Sequence, residues 1–195
     1  MKNLWFERDS STQDLSNSKK IKLQVWRCVD SLFFKTSFNF LSCWRVFLLR
    51  AFGAKIGKGC YVSPQARIYM PWNLTMGNVS SIDDYVFIKD SVNVVIGDYV
   101  SISNFVHVFT GGHDVKERNF ASQRKPVIIG NGAFIGADSY IGKGVNIGQM
   151  AVIGARSFVL KDVPENCIAF GSPCVVKSER LPREVYEKYR YDYAE

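Results

Sequence analysis

The chain lacks any C-x-x-C pair, and its five cysteines, Cys28, Cys43, Cys60, Cys167 and Cys174, are an odd and scattered set. That pattern argues against a disulfide framework and against a cysteine-based zinc cage, and favours a reducing compartment. Long apolar runs are also missing. The most apolar stretch near the N-terminus is interrupted by Lys35, Arg45 and Arg50, short of the roughly 18 to 20 apolar residues a spanning helix needs. The opening MKNLWFERDSSTQDLSNSKK has no apolar h-region of a secretory signal, so a cytoplasmic protein is expected. Acidic residues are scarce at the start: up to Phe52, nine Lys and Arg stand against four Asp and Glu, which places +5 of the total charge of +7 there. The near balance of the rest argues against a nucleic-acid-binding body. It predicts a basic N-terminal appendage suited to an anionic membrane face or an acidic ligand.

What the chain does have is a repeat. At 195 residues and 47% hydrophobic content it can bury one sizeable core, and branched aliphatics recur every six residues: Ile56, Val62, Ile68, Leu74, then Ile82, Ile88, Val94, then Ile96, Ile102, Val108. After a gap the period resumes as Ile129, Ile135, Ile141, Ile147, Ile153 and Val159, with Gly directly after the aliphatic at 130, 136, 142, 148 and 154. Four residues past each aliphatic sits a mostly small or β-branched side chain, such as Ala66, Val100, Ala133, Ser139 or Ala151. A period of six fits neither the 3.6 of a helix nor the alternation of a simple strand; it predicts a hexapeptide β-solenoid whose short strands form the walls of a prism. The glycines are expected to supply positive φ at its corners.

Three further segments surround the repeat. Residues 1–18 are expected to be flexible. Residues 19–52 place Trp26, Val29, Phe33, Leu41, Trp44, Phe47 and Leu48 at helical spacing and predict one or two amphipathic helices, packed on the first coil or lying on a membrane surface. After a solenoid spanning 53–178, residues 179–195 predict a short helix starting near Pro182. The solenoid itself is broken between Val108 and Ile129, an interval of 21 residues, which predicts a loop over 109–127. Loops on rigid scaffolds are where function concentrates. This one holds His113, one of only two histidines, after Gly111 and Gly112, whose flexibility would aim the imidazole. A lone loop histidine is by itself more often a solvated residue; His107, the other, sits at an outward position of its hexapeptide and reads as structural or peripheral.

The segments LRAFGAKIGKG (49–59), PWNLTMG (71–77), IGDYVSIS (96–103), TGGHD (110–114), IGARSFVLKDVPEN (153–166) and GSPC (171–174) resemble the colanic-acid-biosynthesis type of acetyltransferase within the hexapeptide-repeat acyltransferase superfamily, over roughly residues 20–180. The resemblance implies a left-handed parallel β-helix, a homotrimer with active sites between neighbouring prisms, and acetyl-CoA-dependent O-acetylation of a sugar hydroxyl in exopolysaccharide, capsule or lipopolysaccharide synthesis, the acceptor being a sugar, a sugar nucleotide or a lipid-linked glycan. TGGHD matches the T-G-x-H segment carrying the catalytic histidine, which implies that His113 is the general base. The chemistry agrees, because an acetyl thioester is already activated and the enzyme has chiefly to take a proton from the incoming hydroxyl, a task for which imidazole is the usual group.

For the donor, the resemblance implies backbone contacts at Ala137 and Ala155, an aromatic wall at Phe134 where many relatives carry Trp, and phosphate contacts from Lys161, with Arg156, Lys177 and Arg180 as further candidates. Val175 follows GSPC where relatives often carry a basic residue, which removes one such contact. For the acceptor, Asp83, Asp84, Asp90 and Asn93, on the coil before the histidine loop, are candidates for hydrogen bonds to sugar hydroxyls. The alternatives are an N-acetyltransferase acting on an amino sugar, a serine acetyltransferase, which usually has a larger helical N-terminal domain, and a non-enzymatic binding solenoid. Carbonic anhydrases of the same prism need three histidines; no metal is expected here.

Overall fold

The structure is a computed structural model that describes residues 16–114, 116–117 and 120–189. The expectation of a flexible segment over 1–18 therefore falls, apart from residues 16–18, outside the described residues, as does the end of the C-terminal segment beyond 189. Helix α1 (Asn17–Val29) begins at Ser16, whose hydroxyl accepts from the Lys19 N–H at 3.5 Å, and runs into a π-helical turn at Asp30–Phe34. Helix α2 (Ser42–Ala51) follows and buries Arg45, Val46, Leu48 and Leu49.

Three short strands then make each coil of a prism. The first coil is β1 (Lys55–Ile56), β2 (Tyr61–Val62) and β3 (Arg67–Ile68). The second is β4 (Leu74–Met76), β5 (Ser81–Ile82) and β6 (Phe87–Lys89). The third is β7 (Val94–Ile96), β8 (Ser101–Ile102) and β9 (His107–Phe109). A hairpin, β10 (Gly111–His113) and β11 (Ser122–Arg124), is thrown out before the fourth coil of β12 (Val127–Ile129), β13 (Phe134–Ile135) and β14 (Tyr140–Ile141). The fifth coil is β15 (Asn146–Ile147), β16 (Val152–Ile153) and β17 (Phe158–Val159), and β18 (Cys167–Phe170) with β19 (Val175–Glu179) ends the stack.

Successive coils pair in parallel, so the prism has three sheet faces: β1-β4-β7-β12-β15, then β2-β5-β8-β13-β16-β18, then β3-β6-β9-β14-β17. The registers are those of the repeat, for example Ile135 opposite Ile102 and Ile153, and Ile141 opposite Val108 and Val159. The repeat aliphatics point inward and are buried along the whole stack, each contributing about 1.5–3 kcal/mol of apolar burial. The open ends are closed differently. β19 adds antiparallel to β18 at the late end. At the early end, the Trp26 indole donates to the Ile68 carbonyl at 2.8 Å and Arg45 donates to the Val62 carbonyl at 2.6 Å, fastening α1 and α2 over the first coil. Arg45 also donates to the carbonyls of Phe38 and Asn39 and to the Ser37 hydroxyl, at 2.7–2.9 Å, so one buried guanidinium organises the turn between the helices.

Two details depart from the sequence reading. The glycines after the repeat aliphatics do not take positive φ. That conformation falls three residues after the aliphatic, at Gly132 and Gly144 but also at Tyr85, Tyr99, Phe105, Asp138, Met150 and Arg156. The earlier glycines answer to space instead: a Cβ on Gly136 would lie 2.5 Å from the Ala155 nitrogen and 2.7 Å from the Ile153 carbonyl of the next coil. The second departure is helical. The π turn, with Lys35 N–H bonded to the Asp30 carbonyl, adds one residue to the winding, so Phe34 rather than Phe33 turns inward. Phe33, Trp44 and Phe47, placed by helical spacing on an apolar face that packs on the first coil or lies on a membrane, are exposed, together with Ile21, Leu32, Phe38 and Phe40. The C-terminal helix α3 (Arg183–Tyr189) follows Pro182 and buries Tyr186.

Candidate active site

The histidine segment is a built element. Thr110, fully buried, donates its hydroxyl to the Lys89 carbonyl at 3.1 Å, accepts on that hydroxyl from the Val92 N–H at 3.2 Å, and accepts on its carbonyl from the Lys125 N–H at 2.9 Å. These bonds anchor the base of the hairpin to the second coil. From there Gly111 pairs with Arg124, Gly112 with Gln123 and His113 with Ser122 in an antiparallel ladder. Gly111 and Gly112 thus hold extended ladder positions, and a Cβ at 112 would make ordinary contact with the Lys143 side chain at 3.4 Å. Aiming the imidazole by glycine flexibility is accordingly replaced by aiming through strand register. Asp114 pins the turn, accepting from the Lys116 N–H at 2.9 Å and the Gln123 amide at 2.6 Å, while the Gln123 oxygen accepts from Lys143 of the fourth coil at 2.8 Å. The exposed His113 ring stacks on Phe120 with centroids 4.9 Å apart.

His113 stands at the lip of a cleft of about 480 Å³ lined by Lys20, Tyr69, Met70, Lys89, Ser91, Gly111, Gly112, Ser122 and Arg124. The cleft lies along the edge where the third face turns into the first, and its wall repeats coil by coil: Tyr69 follows Ile68 as Lys89 follows Ile88. Tyr69 and Lys89 were not among the candidates named from the sequence, although this equivalence could have found them; Lys20, brought in by α1, and Arg124, brought in by the hairpin, carried no such signal. His107 lies elsewhere, on the third face in an aromatic groove with Arg67, Tyr85, Phe87 and Phe105.

The acceptor candidates divide. Asn93 is exposed on the same edge as His113. Asp90 is there too but fully buried, its Oδ1 accepting from the Met70 N–H at 2.6 Å, and burial pushes its carboxyl up to about 8. The reading of Asp90 as a surface partner for sugar hydroxyls is therefore corrected to one of an internal brace, since the carboxyl is turned into the coil. Asp83 and Asp84 sit on a different edge, between second and third faces; Asp84 accepts from the Ser63 hydroxyl, and burial with the neighbouring Asp84 raises Asp83.

The donor candidates divide likewise. Phe134 is exposed on the second face, Ala137, Ala155 and Arg156 cluster at the second-to-third edge, and Lys177 extends from β19 over the Phe170 ring at 5.3 Å. Arg156 N–H donates to the Ala137 carbonyl at 2.8 Å, and its side chain faces Asp138 at 3.4 Å. Lys161 is on the other edge, that of His113. Arg180, counted among the phosphate candidates, donates instead to the carbonyls of Gly132 and Met150, both at 3.0 Å, and ties the chain end to the fourth and fifth coils. Among the described residues no group of three or more His, Cys, Asp and Glu is placed to hold a metal ion, and no helix is long and apolar enough to cross a membrane.

The prism of parallel hexapeptide coils defines a class, the hexapeptide acyltransferases, and comparison with known proteins agrees. Residues 126–161 match the family described as the hexapeptide repeat of succinyl-transferase. The chain is 38% identical over 164 residues to the Escherichia coli K12 protein WcaF, which carries the name of a colanic acid biosynthesis acetyltransferase, covering 84% of this chain and 90% of that one. It is 33% identical to the galactoside O-acetyltransferase of the same organism over 75% of this chain and 71% of that one. A galactoside acetyltransferase structure in complex with coenzyme A superposes with a TM-score of 0.79 at 29% identity, covering 89% and 88% of the two chains. The chain belongs to the hexapeptide-repeat acetyltransferases, and its solenoid of about six turns is their left-handed β-helix.

Proposed function

We propose that the enzyme transfers an acetyl group from acetyl-CoA to a sugar hydroxyl in the synthesis of an exopolysaccharide, capsule or lipopolysaccharide, with His113 as the general base. The observation that carries this reading is the placement of His113 at the lip of the cleft, on a hairpin fixed by the Thr110 and Asp114 bonds. A rigidly held imidazole beside a cavity open to solvent can take the proton of a hydroxyl bound there as that oxygen attacks the acetyl carbonyl, and pass it to the thiolate that departs when the acetyl–sulfur bond breaks, which leaves as the free thiol of coenzyme A. The family names of the relatives, one a galactoside O-acetyltransferase, support a sugar as acceptor.

The donor is proposed to run along the later coils, its pantetheine arm against the backbone at Ala137 and Ala155 and the Phe134 ring, with Lys161, Arg156 and Lys177 toward its phosphates. In one chain these groups occupy two different edges of the prism, so the site is proposed to be completed between subunits of a cyclic homotrimer, where an edge of one prism meets the face of the next. The stack of half-buried Phe109 and Tyr140 with exposed Phe158, centroids 5.3 and 4.8 Å apart, gives that contact an apolar surface. We further propose that the helical segment rests on an anionic membrane. Its exposed Ile21, Leu32, Phe33, Phe38, Phe40 and Phe47 share residues 16–52 with six Lys and Arg besides the buried Arg45 and with the single acid Asp30, the pairing of apolar face and basic rim that an anionic bilayer attracts.

Free thiol released from acetyl-CoA in the presence of a panel of sugars, with mass spectrometry of the products, tests the function. The reading expects a sugar gaining one acetyl group on oxygen. Transfer only to an amine, or binding of sugars without any thiol release, would overturn it.

A further inference from the structure

Two aromatic rings stand on the edge between the second and third faces, across the third face from the histidine hairpin of their own chain. Tyr85 and Phe105 occupy equivalent corners of the second and third coils, are half exposed, and stack with centroids 4.9 Å apart and planes 5° from parallel. Both corners have positive φ, 59° and 62°, a backbone that disfavours bulky side chains and suits glycine or asparagine. Coil pairing does not demand aromatic residues there, because the same column carries Gln65, Asp138 and Arg156 on the first, fourth and fifth coils. Solvent and backbone both count against these two rings, and their shared flat surface needs another use.

Groups that bond hydroxyls surround them. A groove of about 240 Å³ on the third-face side of the pair is lined also by Gln65, Arg67, Phe87 and His107, and Asp83 and Asp84 precede Tyr85 on the same edge. Apolar rings bordered by carboxylates, an amide and a guanidinium match a pyranose, whose C–H face packs on an aromatic ring while its hydroxyls meet the polar rim.

The position decides which histidine such a sugar meets. The cleft at His113 lies on the third-to-first edge at the level of the first three coils, and Tyr85 and Phe105 stand at the level of the second and third on the opposite edge. Between the two edges runs the aromatic face, which carries Phe87, His107, Phe109, Tyr140 and Phe158 on β6, β9, β14 and β17. Three prisms that turn this face to a common axis parallel to them set the second-to-third edge of each against the third-to-first edge of the next. A rotation shifts nothing along its axis, so Tyr85 and Phe105 arrive opposite the neighbouring histidine at its own height. Ala137, Ala155 and Arg156 follow on the later coils of the same edge.

We infer that Tyr85 and Phe105 of one subunit form the platform on which the acceptor's sugar ring stacks while its hydroxyl meets His113 of the neighbouring subunit, so that the two rings set acceptor specificity in trans. The inference rests on the O-acetyltransferase and trimer readings for that hydroxyl and that neighbour, but the platform itself does not.

The test uses the Tyr85→Asn/Phe105→Asn double variant, in which asparagine suits both corners; wild-type Tm and mass by light scattering verify fold and assembly. The binding arm records saturation-transfer NMR of the methyl glycosides of glucose, galactose, mannose and fucose on the full-length protein with coenzyme A present. At least one glycoside is expected to receive saturation at its ring C–H protons, and the variant to lose it. No transfer in the wild type, or equal transfer in the variant, overturns the platform whatever the enzyme acetylates. The kinetic arm expects KM for the acetylated sugar to rise about tenfold or more in the variant with KM for acetyl-CoA unchanged. An unchanged sugar KM, or a rise confined to acetyl-CoA, overturns the inference and leaves O-acetyl transfer standing. The third arm co-expresses the double variant with His113→Ala. One interface in about four then pairs an intact histidine with intact rings, and about a quarter of the wild-type kcat/KM is expected to return. Activity no greater than that of the two proteins made separately, or a monomeric mass, overturns the assignment in trans. Glycoside binding lost in the variant with no sugar acetylated supports the platform and counts against O-acetyl transfer.

Discussion

Replacing Gly136 by alanine tests whether the repeat glycines are there for space. The added Cβ would lie 2.5 Å from the Ala155 nitrogen, 2.7 Å from the Ile153 carbonyl oxygen and 2.8 Å from the Gly154 carbonyl carbon. All three are backbone atoms of the next coil, held by the bonds from Gly136 N–H to the Ile153 carbonyl at 2.8 Å and from Gly154 N–H to the Ala169 carbonyl at 2.9 Å. No side chain can rotate away, so the coils must part by about half an ångström or more at this corner. Overpacking costs about 1–3 kcal/mol where side chains can yield; with backbone as the obstacle the upper end applies, about 3 kcal/mol. For a chain of this size that corresponds to a fall in Tm of about 6–12 °C. Gly112→Ala is the matched control, since its Cβ would meet only the flexible Lys143 side chain at 3.4 Å, and its Tm should move by less than about 2 °C. Circular dichroism melts of the two variants read the difference. A Gly136→Ala protein as stable as wild type would refute the argument from close approach and return the glycines to a conformational role.

Arg45→Met removes a fully buried guanidinium that serves the carbonyls of Phe38, Asn39 and Val62; urea unfolding should register a loss of about 3 kcal/mol or more, and a loss below about 1 would show that water replaces it freely. Asp90 gives a pH signature. Its carboxyl ionises near 4 when unfolded and only near 8 when folded, so the folded state binds the extra proton between those values and stability falls as pH rises from about 4 to 8, then levels. Asp90→Asn carries no charge to bury and should lose up to about 4 kcal/mol of that decline between pH 5 and pH 8; wild-type and variant Tm values that run parallel across the range would contradict the assignment. Phe38→Ser/Phe40→Ser should weaken flotation with anionic vesicles while leaving Tm nearly unchanged, because both rings are exposed and stack on each other at 5.6 Å; equal flotation would remove the membrane reading of this face.

The prism was readable because a hexapeptide period is imposed by backbone pairing between coils, which admits one inward aliphatic per wall. The corner logic was not, because positive φ settles on residues such as Tyr85, Phe105 and Asp138, types that carry no such signal, while the glycines that drew attention were selected by the neighbouring coil. That Phe34 rather than Phe33 turns inward had a similar cause, since a π turn shifts phase without marking the sequence. At the site, His113 stood out as the histidine of the single interrupted coil. Lys20 and Arg124 did not, since a helix and a hairpin must fold back over the prism before they share a cleft with Lys89. Asp90 was misplaced because an acid beside a lysine reads as surface, and only the bond to Met70 N–H shows it turned inward.

His113 is proposed to take the acceptor's proton, and His113→Ala measures that contribution. The ring is exposed at the end of β10 and stacks only on Phe120 among the contacts described for it, so Tm, subunit assembly and the KM for acetyl-CoA should stay close to wild type. Turnover on the acetylated sugar should fall about 10²- to 10⁴-fold, the usual contribution of a positioned general base. A variant that keeps near-normal turnover with that acceptor would contradict the account.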